Sequence, residues 1–361
     1  SNLWIGTKGD GIFKIPNYNF DTRVNPEAIS QFTTENSSLI NDANYVFLPD
    51  EKNNLLWIGG DGPGLNYYSY NEQKIKAVPS SADIPIFHTH AICKTNDTTL
   101  WIATGGWAIL KTIITWKDKE PHIKYIKNIR FTKDDKMTNH FFSICQENDS
   151  ILWFGNRRYG ALRMNAKTDK YDFVRFDDKN TETINDILCI HKDRKGNIWF
   201  GSSYGITRLG SFDKVFTKFE NYNDKHGLPN NTIHSILEDR NGNLWLSTNS
   251  GIVEFNTETK TFKTYGYQDG IDVVEFSDGA SSQNANTQTM FFGGRNGFVS
   301  IKQDQFSQNL YIPPVSFTGI KIYEKEFNLF DLMKGKDDDR YIELKHDQNF
   351  FSISSVALDY I

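Results

Sequence analysis

The sequence lacks any apolar run that could cross a membrane as a helix, since such a span needs about 18 or more residues with few charges. It has only three cysteines, Cys93, Cys145 and Cys189, without a C-x-x-C spacing. This argues against a disulfide framework or a zinc knuckle, so we expect buried and unreactive thiols. A formal net charge of −5 excludes a general attraction for nucleic acids.

What the sequence does contain is an aromatic-led motif that returns seven times. The copies begin at Trp4, Trp57, Trp101, Trp153, Trp199, Trp245 and Phe291. Subtracting successive positions gives intervals of 53, 44, 52, 46, 46 and 46 residues. A repeat in the forties, with several short strands in each unit, is typical of a β-propeller blade. We therefore predict an all-β protein that contains a seven-bladed β-propeller.

The clearest unit lies between Asn231 and Gly270. Alternating apolar residues and turn residues predict four strands there, at Thr232–Glu238, Asn243–Thr248, Gly251–Asn256 and Thr261–Tyr265. Two other units are longer, with polar excess between Asn17 and Asn44 and between Ile113 and His140. We expect extended outer hairpins or loops in both places.

The first unit differs from the others because no stretch upstream of Trp4 could form its innermost strand. Either that strand precedes Ser1 in the natural protein, or a segment elsewhere closes the ring. The chain also opens inside a strand motif and has no recognisable signal peptide, so we expect an excised fragment.

The repeat pattern stops at Pro313-Pro314. The segments that follow, Val315–Tyr323, Tyr341–Lys345 and Asn349–Leu358, are strand-like but lack the aromatic motif. We predict a propeller over residues 1–312 and the N-terminal part of an Ig-like β-sandwich over 313–361. Only about 49 residues remain for this second module, so it is expected to be incomplete.

Several phrases resemble a known family. Residues 239–256 (DRNGNLWLSTNSGIVEFN) and 193–209 resemble the two-component regulator propeller repeats of extracytoplasmic sensors in hybrid two-component systems, best known in Bacteroidetes. In that family a Gly-Leu-Pro-x-Asn phrase often precedes the innermost strand, and Gly227-Leu-Pro-Asn-Asn231 matches it. Residues 313–323 and 349–360 resemble the start of the tyrosine-rich β-sandwich that follows such propellers.

The resemblance implies a periplasmic part of an inner-membrane protein. A membrane helix, a histidine kinase, a receiver and a DNA-binding domain would follow in the same polypeptide, and a second propeller would precede this one. The fragment itself would sense an oligosaccharide released from a polysaccharide and so control polysaccharide-utilisation genes. The resemblance further implies a homodimer formed through the sandwich, and it implies no cofactor.

Fold analogy puts the ligand on the face where the turns after the aromatic motifs meet the loops before the innermost strands. The turn Asn156–Tyr159 differs most from its counterparts, because it carries Arg157, Arg158 and Tyr159. Two guanidiniums beside a phenol suit a carboxylated or sulfated sugar, since arginine pairs with oxyanions in a bidentate manner. The alternative is a solvated turn whose arginines pair with neighbouring acidic residues.

Other turns offer weaker candidates. Trp107 could form a platform for a sugar ring, although packing between blades is the commoner use of such a side chain. Comparable turns contain Tyr204 and Arg295, and four histidines lie near loops that lead to inner strands: His88, His90, His140 and His226.

Metal binding is not favoured. The pair His88-x-His90 would project two imidazoles to one side of a strand, but no third ligand is identifiable. The turn Asp239–Asn243 has oxygen ligands at alternate positions and lacks the distal bidentate glutamate of a calcium loop.

Catalysis is the alternative to binding. A secreted propeller lyase or hydrolase, acting on a glycan or a small cyclic substrate, could use His140 or His226 as a base with Tyr159 nearby. However, no Ser-His-Asp set, paired-carboxylate motif or nucleophile elbow is identifiable in the sequence. A repeated scaffold with variable turns favours binding, so we expect no enzymatic activity in this fragment.

Overall fold

The computed structural model describes residues 2–19, 23–80, 86–131, 139–176, 182–212, 217–273, 275–302, 315–335 and 341–357. The chain divides into two compact units, Ser1–Gln303 and Asp304–Ile361. Nearly all regular elements are β-strands, so the all-β prediction is confirmed. The boundary predicted between residues 312 and 313 lies outside the described residues.

The first unit is a β-propeller whose described residues form seven successive antiparallel sheets. The first three sheets contain β1–β3 (Leu3–Gly6, Ile12–Ile15, Ser30–Phe32), β4–β7 (Asn44–Asp50, Leu55–Gly60, Asn66–Ser69, Lys74–Ala77) and β8–β11 (Thr89–Asn96, Thr99–Thr104, Ile109–Lys117, Glu120–Ile129). The next two contain β12–β15 (Phe141–Asn148, Ile151–Asn156, Gly160–Asn165, Tyr171–Val174) and β16–β19 (Ile187–Lys192, Ile198–Ser202, Gly205–Phe212, Thr217–Tyr222). The last two contain β20–β23 (Ile233–Glu238, Leu244–Thr248, Gly251–Asn256, Thr261–Tyr265) and β24–β26 (Phe276–Gln283, Met290–Gly294, Gly297–Ile301).

Each sheet is a meander, because every strand pairs with the next strand along the chain. The first strands of the second to seventh sheets lie against one another in order around the centre, and we call them the inner strands: β4, β8, β12, β16, β20 and β24. Short 3₁₀ helices lie between strands at Pro26–Ala28, Glu51–Asn53, Glu182–Asn185, Asp224–His226 and Tyr267–Asp269.

The strand predictions for the clearest unit are confirmed to within one residue. Predicted strands at 232–238, 243–248, 251–256 and 261–265 correspond to β20, β21, β22 and β23. The expected outer hairpin of the third unit is formed by β10 and β11, which pair from Ile109 with Ile129 to Lys117 with Glu120, with one bulge.

The core lies between neighbouring sheets. Every residue of β5, β9, β13, β17 and β21 is buried, because a sheet on either side covers these strands. Their five tryptophans are at most 1% exposed, and Trp153 packs edge-on against Phe200 of the next sheet at 5.4 Å between ring centroids. Burial of a large apolar side chain stabilises the fold by about 2–3 kcal/mol.

Most of these indoles also have a charged hydrogen-bond partner. Each Nε1 donates to a carboxylate near the end of the preceding inner strand: Trp57 to Asp50 (3.2 Å), Trp153 to Glu147 (2.7 Å), Trp199 to Asp193 (2.9 Å) and Trp245 to Asp239 (3.0 Å). Asp193 also accepts from the backbone N–H of Asn197 at 2.7 Å, so one carboxylate joins the hairpin turn to the core. The buried Nε1 of Trp101 has no such partner among the described residues.

The two ends of this unit meet. The hydroxyl of Tyr18 donates to Ser300 Oγ at 3.4 Å, and its ring packs edge-on against Phe291 at 5.5 Å between centroids. The connection between β2 and β3 therefore contacts the last sheet. In the described residues the first sheet has only three strands, and none of them is an inner strand.

The three cysteines are free, as expected. Burial raises the pKa of Cys93 to about 11 and that of Cys145 to about 12, and it raises the pKa of Cys189 further. These thiols are therefore protonated at neutral pH and poorly nucleophilic.

The second unit contains β27 (Val315–Ile322), β28 (Lys325–Phe327), α1 (Leu329–Leu332), β29 (Met333–Lys334), β30 (Tyr341–Ile342) and β31 (Phe351–Ala357). Strand β27 lies between β28 and β31 in a three-stranded sheet, and β29 pairs with β30. Ile320 and Ile322 form its buried centre, covered by Leu332 and Met333 among others. No helix in the described part of the chain is long and apolar enough to cross a membrane.

The hydrogen bond between indole and carboxylate predicts that replacing tryptophan by phenylalanine lowers the free energy of unfolding by different amounts at two equivalent positions. Both Trp199→Phe and Trp101→Phe remove ring volume, but only Trp199→Phe removes a hydrogen bond to a buried carboxylate, that of Asp193, which keeps its bonds from Asn197. We expect Trp199→Phe to lower the free energy of unfolding by about 1–3 kcal/mol more than Trp101→Phe does. Urea unfolding of the two variants measures the difference, and equal losses would show that the hydrogen bond contributes nothing beyond packing.

Candidate functional site

The inner strands share a bulge near their first residue. The pairing register with the neighbouring strand shifts there in β4, β8, β12, β16 and β20. The extra residues are Tyr45, His90, Phe142, Leu188 and His234. A bulge leaves its extra residue outside the ladder and redirects the side chain. In β24 the irregular stretch runs from Phe276 to Ser281 and contains Asp278.

Three of the bulge residues form a row of rings across three sheets. Tyr45 and His90 are parallel within 4°, with centroids 5.2 Å apart. The ring centroids of His90 and Phe142 are 4.4 Å apart. The guanidinium carbon of Arg157 lies 4.9 Å from the centroid of the Phe142 ring. The row therefore ends in a cation–π contact.

Arg157 connects sheets that are not neighbours. It lies in the turn after β13 and donates to Asp186 Oδ2 at 3.1 Å, just before β16, and to Asp278 Oδ2 at 2.8 Å in β24. Ser203 Oγ donates to the same oxygen of Asp186 at 2.7 Å. Because the fourth and seventh sheets are not adjacent in the ring, this side chain spans the centre of the propeller.

His234 completes the charged part of the site. Its Nδ1 lies 2.7 Å from Asp278 Oδ1, and its Nε2 lies 2.8 Å from Asn249 Oδ1. Burial alone would lower the pKa of His234, but the hydrogen bonds to Asp278 and Asn249 outweigh it and raise that pKa. Burial acts to raise the pKa of Asp278. The hydrogen bond from His234 and the positive charge of Arg157 outweigh burial and hold this pKa below its usual range.

A second set of polar contacts surrounds Asp61, which follows β5. Tyr45 donates its hydroxyl to Asp61 Oδ2 at 2.6 Å, and His88 Nδ1 lies 2.8 Å from Oδ1. Burial and the neighbouring carboxylate raise the pKa of Tyr45 to about 12, so its phenol stays protonated.

His90 differs from His234 in its protonation state. Burial lowers the pKa of His90 to about 4, so the imidazole is neutral at pH 7. It makes no hydrogen bond to another described residue, although it is held between two rings. A Cβ at position 105 would lie 2.7 Å from its Nε2, so a side chain there would displace the imidazole.

We call this set of residues the central network: Tyr45, Asp61, His88, His90, Phe142, Arg157, Asp186, Ser203, His234, Asn249 and Asp278. It offers aromatic faces together with hydrogen-bond donors and acceptors, which is the chemistry that recognises a polyhydroxylated ring. Among the described residues, no group of three or more histidine, cysteine or acidic side chains has metal-binding geometry.

Of the residues predicted to bind ligand, Arg157 belongs to the central network. Arg158 is exposed with a positive φ of 75°, and Tyr159 is half-buried with Arg175 5.9 Å from its ring. The arrangement of Arg157 matches the alternative of an arginine paired with acidic neighbours. Ligand binding by this turn stays a prediction.

Of the other candidates, His88 and His90 belong to the network, whereas Trp107, Tyr204, Arg295 and His226 do not. Trp107 is half-buried against Phe87, with ring centroids 5.5 Å apart. Tyr204 packs on the core between the fourth and fifth sheets. Arg295 is exposed and pairs with Glu275 at 3.3 Å, while His226 caps a 3₁₀ helix through Asn223.

Sequence patterns did not indicate Tyr45, Asp61, Phe142, His234 or Asp278 as site residues. A signal existed for some of them: aligning the units at the first residue of each inner strand puts Tyr45, His90, Phe142 and His234 in one column. The carboxylates had no such signal, because their partners are distant in sequence.

Replacing the two adjacent arginines by alanine is expected to change the free energy of unfolding by different amounts. Arg157→Ala leaves Asp186 and Asp278 without their shared cation, so we expect the free energy of unfolding to fall by about 1–3 kcal/mol. Arg158→Ala, at an exposed position, should change it by less than about 0.5 kcal/mol. Chemical unfolding of both variants checks this, and a loss in Arg158→Ala as large as that in Arg157→Ala would contradict it.

The His234–Asp278 pair predicts a pH dependence. Because the folded pKa of His234 is raised above its usual 6.5, its contribution to stability is complete below about pH 6.5 and disappears as pH rises through the folded pKa. Between about pH 6.5 and pH 8, where the His90 imidazole is already neutral and the cysteine thiols do not yet ionise in the unfolded chain, unfolding free energies should therefore decline in the unmodified chain. His234→Gln should flatten that decline, and the control His346→Gln should keep it. If the decline persists in the His234→Gln variant, another titrating group causes it.

Comparisons with known proteins agree with this architecture. The family model for the two-component regulator propeller matches residues 181–204 and 227–250. A histidine kinase, P4, of Formosa agariphila is 28% identical to the chain over 75% of this chain and 23% of its own length.

Solved structures give the same result. The extracellular domain of the hybrid two-component system BT3049 of B. thetaiotaomicron superposes with a TM-score of 0.73 at 25% identity, over 99% of this chain and 45% of that one. Virginiamycin B lyase of Staphylococcus aureus superposes with a TM-score of 0.57 at 14% identity, over 83% of this chain and 90% of the lyase, which shows a shared fold alone. The chain thus spans about a quarter of the curated relative and just under half of the solved extracellular domain.

Proposed function

We propose that this chain, which carries two-component regulator propeller repeats and resembles the extracellular sensor region of a hybrid two-component system, is the ligand-sensing fragment of a hybrid sensor histidine kinase. The observation that carries the proposal is the similarity to the BT3049 extracellular domain along 99% of the chain. The histidine kinase of Formosa agariphila supports the same assignment from sequence. The fragment itself binds and does not catalyse.

The proposed location is the periplasm, as part of an inner-membrane protein. The solved relative is an extracellular domain, which supports a position outside the inner membrane. Its partners within the full polypeptide are then an upstream propeller, a membrane helix and the kinase. A homodimer through the second unit is part of the same proposal.

The proposed ligand is an oligosaccharide released from a polysaccharide. The central network supports this class, because rings such as Phe142 can stack on a pyranose while Asn249 and Asp61 offer acceptors for hydroxyl groups. An acidic sugar would add a contact with the exposed Arg158 next to Arg157. Control of polysaccharide-utilisation genes is the corresponding physiological role.

The proposed mechanism is a population shift. A ligand that contacts side chains from several sheets stabilises one conformation of the propeller. In that conformation the distances between the sheets are those of the ligand-bound state. The second unit passes that preference toward the membrane, and kinase activity follows from the altered equilibrium.

Calorimetry with neutral and acidic oligosaccharides tests ligand binding. We expect saturable binding that Phe142→Ala weakens about tenfold or more, because the ring stacking is lost. Arg158→Ala should weaken the binding of acidic sugars only. Arg240→Ala removes an exposed arginine from a turn at the other end of the inner strand β20, and it should have no effect.

Product analysis after incubation with the same glycans separates sensing from catalysis. Turnover by the purified chain would overturn the sensor proposal in favour of a propeller lyase or hydrolase. The coding sequence beyond Ile361 gives a further check, since a stop codon without a membrane helix would also contradict it.

A further inference from the structure

Bulge residues of the inner strands contact the turn that follows the aromatic motif of the same sheet. The contact is made by the fourth residue after the first aromatic of the motif, which we call the turn position. In the second to sixth sheets the turn position holds Asp61, Gly105, Arg157, Ser203 and Asn249. Three sheets supply a partner for their bulge residue there: Tyr45 donates to Asp61 at 2.6 Å, the Arg157 guanidinium carbon lies 4.9 Å from the Phe142 ring centroid, and His234 Nε2 lies 2.8 Å from Asn249 Oδ1.

The third sheet lacks this partner because its turn position is a glycine. His90 holds the same bulge position as His234, and a Cβ at Gly105 would lie 2.7 Å from His90 Nε2. The imidazole therefore points at its turn position, as His234 does, but meets no side chain there. The N–H of Gly105 donates to His88 O at 2.9 Å, so the backbone of the third sheet fixes the room beside Nε2.

His90 can form hydrogen bonds only at the edge of its ring. Tyr45 and Phe142 cover its two faces, at 5.2 and 4.4 Å between ring centroids. The side chain is half-buried, and no other residue in the described ranges hydrogen-bonds to it. Burial lowers the pKa of His90 to about 4, so at pH 7 the neutral ring offers one N–H donor and one acceptor nitrogen.

Other polar groups of the central network are already paired. Arg157 donates to both Asp186 and Asp278, and Tyr45 donates to Asp61. A ligand that used one of these groups would first break a bond within the protein, and that loss offsets much of the gain. The unpaired imidazole can bind a ligand without such a loss.

We infer that His90 determines which sugar the central network accepts, with a ligand hydroxyl lying beside its Nε2 in the room left by Gly105. The inference rests on the proposed function, because it assigns a contact within the same sugar site. A sugar without a hydroxyl at this point would cover the imidazole edge and leave it unpaired. A site built around a hydrogen bond discriminates strongly against such an analogue.

The charges around His90 indicate that the sugar unit bound there is neutral. The carboxylates of Asp61 and Asp278 are close enough to act on the charge of His90, so they disfavour a carboxylated or sulfated group beside it. Arg157, the nearby cation, is already shared by two carboxylates. The unit in contact with His90 is therefore an uncharged, hydroxylated ring.

Calorimetry on the full chain tests the inference, with neutral di- and trisaccharides of glucose, galactose, mannose and xylose as probes. His90→Phe keeps a ring between Tyr45 and Phe142 but removes both ring nitrogens. We expect it to weaken binding about tenfold or more, because the ligand hydroxyl loses its partner in a half-buried place. Thermal unfolding of the variant checks that it is folded.

Gly105→Asn is the second variant. It supplies beside Nε2 the amide that Asn249 supplies to His234, so it should also weaken binding about tenfold or more. The matched control is Gly196→Asn, in the turn between β16 and β17 at the other end of the inner strands. A Cβ there meets no atom within 4 Å, and asparagine tolerates its φ of 87°, so binding should not change.

Weaker binding in both folded variants, with normal binding in the control, supports the inference. Unchanged affinity in both variants overturns the inference alone, because the site then recognises sugars through other groups. Loss in only one of two folded variants also overturns it, since the imidazole and the room beside it form one contact. If the unmodified chain binds none of the sugars, the proposed function fails and the inference fails with it.

Discussion

The structure depends on the burial of an indole between neighbouring sheets together with the carboxylate that binds its Nε1. Packing alone would bury the ring without fixing its orientation. The bond from Trp199 to Asp193 fixes that orientation within its own sheet, because the carboxylate also accepts from the turn at Asn197. Repetition of this arrangement gives the ring a common geometry at one end of its inner strands, and the other end is left to vary.

At that variable end, opposite charges are brought together from distant parts of the chain. Arg157 satisfies two carboxylates, and one of them also binds His234, so no single charge is left buried alone. Uncompensated burial of any of these groups would cost several kcal/mol. The compensation lets polar side chains occupy the centre of the ring and remain available on one face.

Much of the fold was predictable from the sequence, and less of the site was. Alternation and turn residues located β20–β23 because they reflect local geometry. The contact between Arg157 and Asp278 joins residues from sheets that are far apart in the sequence, so no local pattern could indicate it. The bulges were equally hidden, since one added residue in a strand leaves the apolar alternation around it almost unchanged.

The bulge positions hold five side chains, Tyr45, His90, Phe142, Leu188 and His234, on one repeated backbone feature. Because each of these residues lies outside the ladder, its replacement leaves the hydrogen bonding of its sheet intact. Mutation can therefore alter the surface around the axis one repeat at a time while the scaffold persists. Such separation lets duplicated genes diverge in what they recognise without first losing the ability to fold.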